Sequence, residues 1–128
     1  MYWLLGRQSQ LSLENKVLLY KAIIKPIWTY GIELWGTASM SNIQIIERVQ
    51  SKILRIIVNA PFYVRNINIR NDLQISAVTE EVRINSIKHL NKIAEHPNKL
   101  VYKMLRGNDN TRRLKRHIPE GLPTRFKQ

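Results

Sequence analysis

Arg48, Lys52 and Arg55 stand four and three residues apart, a spacing that puts three cations on one side of a helix. A row of fixed positive charges on a rigid rod is suited to successive phosphates of a polyanion. Lys88 and Lys92 repeat the four-residue spacing later, with Arg83 nearby, and Arg112, Arg113, Lys115 and Arg116 cluster near the end. The same patterns also describe ordinary solvated helix faces. What weights the phosphate reading is the total, 21 Lys and Arg against 9 acids in 128 residues, a formal charge of +12.

Chemistry beyond binding finds few residues to carry it. Two-metal phosphoryl transfer needs paired carboxylates, because the attacking and leaving oxygens each need a cation. Asp72 and Asp109 are the only aspartates, in different segments, each without a carboxylate neighbour. Glu80 and Glu81 are adjacent, so on a helix they point about 100° apart and cannot clamp one metal together. His89, His96 and His117 share no metal-ligand spacing, and the absence of cysteine excludes disulfides and thiolate zinc sites. There is no glycine-rich phosphate loop and no recognisable nucleophile–base pair. The expectation is a chain with no catalytic residue, no metal site, no cofactor and no small-molecule substrate.

The elements that must position the cations follow from hydrophobic periodicity. Leu13 to Gly36 is the most apolar stretch, capped by Ser12 with Glu14 in the first turn. Leu18, Leu19, Ala22, Ile23 and Ile27 are expected to form its core face, and Pro26 to kink or break it. Gly31 and Gly36 then allow close backbone approach beside Trp28, Tyr30 and Trp35. Ser41 and Gln44 read as a capping box that opens a second helix running to about Asn59 and stopped by Pro61. Its buried face is predicted from Ile45, Ile46, Val49, Ile53, Ile56 and Ile57, opposite the basic stripe.

An aromatic connector, residues 60–66, leads to a short helical turn near Ile69 to Leu73, with Asn68 as its cap. A third long helix is expected over Ser76 to Glu95, burying Val78, Val82, Ile87, Leu90, Ile93 and Ala94. A last short helix, Asn98 to Arg106, is closed by Gly107. The fold expected is therefore all-α, a small bundle of four to five helices with a kinked first helix over residues 1–106. Residues 107–128 form a flexible basic tail that also fits a nuclear-import signal.

Several blocks, in order, resemble the region after the catalytic palm in reverse transcriptases of jockey-type non-LTR retrotransposons. They are Leu19-Tyr20, Ile24-Lys25-Pro26, Tyr30-Gly31 with Trp35-Gly36, Gln50-Ser51-Lys52, Leu54-Arg55, Ala60-Pro61, Tyr63-Val64, Asp72-Leu73 and His96-x-Asn98-x-Leu100. Arg113-Leu114-Lys115-Arg116 continues the series, so the resemblance runs from Tyr2 to about Pro119. It implies the thumb of an RNA-directed DNA polymerase, a helical unit gripping the template–primer duplex through phosphate and sugar. The family's paired aspartates and their Mg²⁺ belong to the upstream palm. Pro26, Tyr30, Gly31, Trp35, Gly36 and Pro61 match the family blocks and read as structural, and Arg55 also falls in a matching block.

The implied partners are an RNA/DNA template–primer duplex and, through the apolar start Tyr2 to Leu5 and the first helix, a palm domain or a second copy. With Met1 at the palm–thumb border, a 5′-truncated element copy is one expectation, and a relic with no selected role is another. A membrane-surface role through Lys16, Lys21 and Lys25 fits less well, since cations spread over several helices and the tail. No apolar run approaches the ~20 residues of a bilayer span, and no signal peptide is evident, so the expected setting is intracellular, nuclear or cytoplasmic.

Overall fold

The computed structural model describes residues 2–98 and residue 100. Among them every regular element is helical: α1 (Tyr2–Leu5), α2 (Leu13–Leu19), a π-helical segment (Tyr20–Ile24), α3 (Lys25–Thr29), α4 (Ile32–Trp35), α5 (Met40–Val58), α6 (Asn66–Asp72) and α7 (Val78–Ala94). The all-α expectation holds. The tail and most of the predicted helix at 98–106 lie outside the described residues.

The described residues divide into two compact units, one of residues 2–30 and 44–78, the other of residues 31–43 and those from 79 onward. In the first, Ser12 opens α2 as predicted, its Oγ accepting from the Asn15 amide at 3.3 Å. Pro26 does not break the helix. The preceding turn widens to π geometry, and Lys25 N–H reaches back to Tyr20 O. Pro26 thereby falls in the first turn of α3, where a missing N–H costs nothing. Helical backbone runs from Leu13 to Thr29.

That widened turn also changes which face is buried. A stripe spaced by four drifts around an α-helix because 3.6 residues complete a turn; an underwound turn corrects the drift. Lys16, Tyr20 and Ile24 are buried, with Trp28 half-buried next on the line. The predicted core face is corrected accordingly: Leu18, Ala22, Ile23 and Ile27 are exposed, and only Leu19 is partly covered. Lys16 is not a solvent-facing charge, since its ammonium donates to Gly6 O at 3.0 Å inside the unit.

Leu5, Tyr20, Ile24, Leu54, Ile57, Ile69 and Ile75 form the first unit's core. Each buried aliphatic side chain contributes ~1.5–3 kcal/mol relative to exposure. On α5 the buried positions are Ile43, Gln50, Ser51, Leu54 and Ile57, whereas Ile45 and Val49 are exposed against expectation. Ser39, not Ser41, starts α5, its carbonyl accepting from Asn42 and Ile43. The helix stops at Asn59 (φ 50°), with Asn59 N–H bonded to Ile56 O and Ala60 N–H to Arg55 O. This left-handed cap ends the helix before Pro61 is reached. The same device closes α6 at Gln74 (φ 51°), where Ile75 N–H returns to Arg70 O. Helix α6 begins at Asn66 after Arg65, so Asn68 lies within it rather than capping it.

In the second unit, Gly31 has φ 62° and precedes α4, accepting from the amides of Leu34 and Trp35. Gly36, at φ −59° and ψ −18°, occupies a conformation open to any residue. Ile32, Ile43, Val82, Glu81 and Ser86 are buried in this unit. On α7 Val78 and Val82 are buried as predicted, and Glu81 and Ser86 are buried too; Ile87, Leu90 and Ile93 are only partly covered and Ala94 is exposed. Ser86 commits its hydroxyl to Val82 O at 2.7 Å, the back-bond that lets a serine sit inside a helix.

Candidate nucleic-acid interface

Helix α5 places the first candidates. With Gln50, Leu54 and Ile57 turned inward, Arg48 and Lys52 project into solvent one turn apart. Arg55 is used differently. Its Nε donates to Asn66 Oδ1 at 2.8 Å, Nη1 to Pro61 O at 3.0 Å and Nη2 to Val64 O. Three of the five guanidinium donors are thus engaged within the chain, bracing residues 59–65, the connector between α5 and α6.

Beside Arg48 the surface opens into a cleft of about 220 Å³, lined by Gln44, Glu47, Arg48, Ser51, Asn66 and Arg70. Arg70 is held there by Glu47, Nη1 to Oε1 at 2.7 Å, with both side chains largely covered. Arg70, Ser51 and Asn66 were not among the sequence candidates. The signal available was a negative one: from Arg48 to Asn71 there are five cations and no carboxylate. Arg65 and Arg70 complete that set.

Lys88 and Lys92 are exposed one turn apart on α7, in the other unit. On the same helix Arg83 donates to Glu80 through Nη2 at 2.7 Å and Nε at 3.1 Å. Those hydrogen bonds hold the Glu80 carboxyl below the usual carboxylate range, against the raising effect of desolvation, and the Arg83 charge adds to the lowering. Arg112, Arg113, Lys115 and Arg116 lie outside the described residues.

The matched structural positions are distributed through both units. Pro26 sits in the first turn of α3, Tyr30 is exposed just beyond it, and Gly31 provides the left-handed turn. Trp35 is half-buried at the end of α4, Gly36 is buried, and Pro61 supplies a carbonyl to Arg55. Among the described residues no cluster of three or more His, Asp or Glu side chains could hold a metal ion. No helix among the described residues is long and apolar enough to cross a membrane.

A second surface of the first unit has the opposite character. Tyr2, Leu5, Ile24, Ile27, Trp28, Ile45, Val49 and Ile53 border an apolar groove of about 350 Å³. Ile27, Ile45, Val49 and Ile53 among them are positions where the sequence predicted core.

The chain is 38% identical over 97% of its length to the probable RNA-directed DNA polymerase from transposon X-element of Drosophila melanogaster. It is 35% identical over 96% of its length to the RNA-directed DNA polymerase from mobile element jockey of the same organism. A further relative, the probable RNA-directed DNA polymerase from transposon BS, is 34% identical over 89% of the chain. The resemblance read from the sequence blocks is thus found along nearly the whole chain. The chain spans only 12–14% of the length of these relatives. No protein-family model and no solved structure matches it.

Proposed function

We propose that this chain is the thumb segment of a jockey-type retrotransposon RNA-directed DNA polymerase, non-catalytic by itself, that grips template–primer nucleic acid without reading its sequence. The observation that carries the reading is the acid-free run from Arg48 to Asn71, with Arg48 and Lys52 exposed one turn apart on α5 and Arg65 exposed just before α6. The likeness to polymerases from three mobile elements supports it. Cations on a helix whose other face is anchored in a core hold their spacing, which suits contact with the regularly spaced phosphates of a duplex. Lys88, Lys92 and the cations of residues 112–116 add further charge of the same sign.

The test is a titration of the full chain with a labelled RNA–DNA primer–template duplex, followed by anisotropy across a salt series. Binding is expected to weaken steeply with salt. In the Arg48→Ala, Lys52→Ala double variant the slope should flatten by ~0.9 for each phosphate that a removed cation had neutralised. An unchanged slope would transfer the role to the basic residues beyond 106, and no binding by folded protein would overturn the reading.

The apolar groove favours a second activity for the same segment, docking onto the remainder of a polymerase chain of which it spans a seventh at most. Concentration-dependent mass of the isolated chain would instead indicate self-association.

A further inference from the structure

Phe62 and Tyr63 are the central residues of a turn in the connector, closed by Val64 N–H donating to Pro61 O at 3.2 Å. Turn centres normally hold glycine, asparagine or other small polar residues. Here they hold two aromatic rings that are 93% and 74% exposed. Rings left in water forgo the stabilisation that burial supplies, and two adjacent ones at a turn centre offer an apolar, aromatic contact surface.

The turn is not a loose tip. Arg55 takes the carbonyls at both of its ends, Pro61 and Val64, and fixes Asn66 at the start of α6 with the same guanidinium. The rings meet edge to face, centroids 5.7 Å apart and planes at 80°, so they do not cover one another as a stacked pair would. The surrounding sequence, from Arg48 to Asn71, carries five positive charges and no negative one; Arg55 is committed to the turn and Arg70 to Glu47, while Arg48, Lys52 and Arg65 are exposed. An aromatic pair on a braced turn, within a segment that has exposed cations and no carboxylate, combines the two features by which proteins hold unpaired nucleic acid: a face for the base and charge for the backbone.

Resting on the nucleic-acid reading above, we propose that Phe62 and Tyr63 form a base-stacking platform for unpaired nucleotides, such as a single-stranded overhang. The neighbouring cations hold the phosphates of that strand. The preference is for exposed base faces of any identity, because every base offers a π face.

The full chain is titrated with a short adenine homopolymer strand and with an abasic phosphodiester strand of the same length and charge. The base-bearing strand should bind roughly 5- to 100-fold tighter. Phe62→Ala with Tyr63→Ala should bring its affinity down to that of the abasic strand, with abasic binding and its salt dependence unchanged. Phe62→Leu with Tyr63→Leu, which keeps apolar bulk without a π face, should do the same. Equal binding of both strands by the wild type would overturn the platform while leaving phosphate binding intact, and would assign the rings to a protein contact. A base preference that survives either double variant would overturn it as well. Binding of neither strand by protein that still binds the primer–template duplex would overturn the platform alone, and loss of duplex binding as well would overturn the underlying reading.

Discussion

Gln50 Nε2 donates to Tyr20 Oη at 3.1 Å, joining α5 to the π-helical segment across 30 residues of sequence. The same amide donates to Ser76 O at 2.9 Å, so one side chain ties three parts of the first unit together. Both Gln50 and Tyr20 are fully buried. Among the described residues Gln50 Oε1 has no hydrogen-bond partner, a further reason that this amide's donors matter.

Tyr20→Phe removes an acceptor and keeps the ring's packing. It should lower unfolding stability by about 1 kcal/mol, read from denaturant midpoints. Gln50→Leu strands the Ser76 carbonyl as well and should cost about 1–3 kcal/mol. If both substitutions were neutral, the tie would be incidental to the core.

Arg55→Lys keeps the charge but replaces a planar fork with a single ammonium that cannot reach Asn66, Pro61 and Val64 together. The expected result is faster amide exchange in residues 60–66 with little change in α7. Stability should fall by about 1–3 kcal/mol. Unaltered exchange in the connector would mean that Pro61 and the left-handed cap at Asn59 suffice to hold it.

Gly31→Ala should destabilise by about 1–2 kcal/mol although nothing lies within 4 Å of the added methyl. The penalty comes from the backbone alone, at φ 62°. Gly31→Asn should recover most of it, since asparagine visits this region more readily. A thermal-melt comparison of the two variants separates strain from crowding.

The Glu80 carboxyl, lowered chiefly by its hydrogen bonds from Arg83, favours the folded state above the ordinary carboxylate pKa. That contribution is lost as pH falls through the lowered folded value. Both groups are well solvated, so the effect is small. Carboxyl titration followed by NMR should show the Glu80 midpoint moving up toward the ordinary value in Arg83→Ala. A midpoint that stays put would assign the lowering to the start of α7 instead.

The sequence periodicity located the long helices and placed Ile57 of α5 and Val78 and Val82 of α7 inside, but it misplaced the buried face of the first helix and part of that of α5. Ile and Leu occur on nearly every side of residues 13–29, so hydrophobicity could not choose a face. The choice was made by the π turn, which lines up Lys16, Tyr20 and Ile24, one of them a lysine. On α5, Gln50 and Ser51 occupy interior positions through burial and, for Gln50, long-range hydrogen bonds that local pattern does not encode. The exposure of Arg48 and Lys52 was legible because an exposed charge obeys helical spacing alone. Arg55 obeyed it too, but its partners arrive from a connector folded back 6 to 11 residues later.

Lys16 has a consequence of a different kind. Its ammonium is covered and bonded to Gly6 O, while Lys21 on the same helical run is in open solvent. Under an amine-acylating reagent the two lysines become a built-in clock. Lys21 marks time zero, and the lag before Lys16 is modified measures how often the segment around Gly6 lifts away from the helix beneath it.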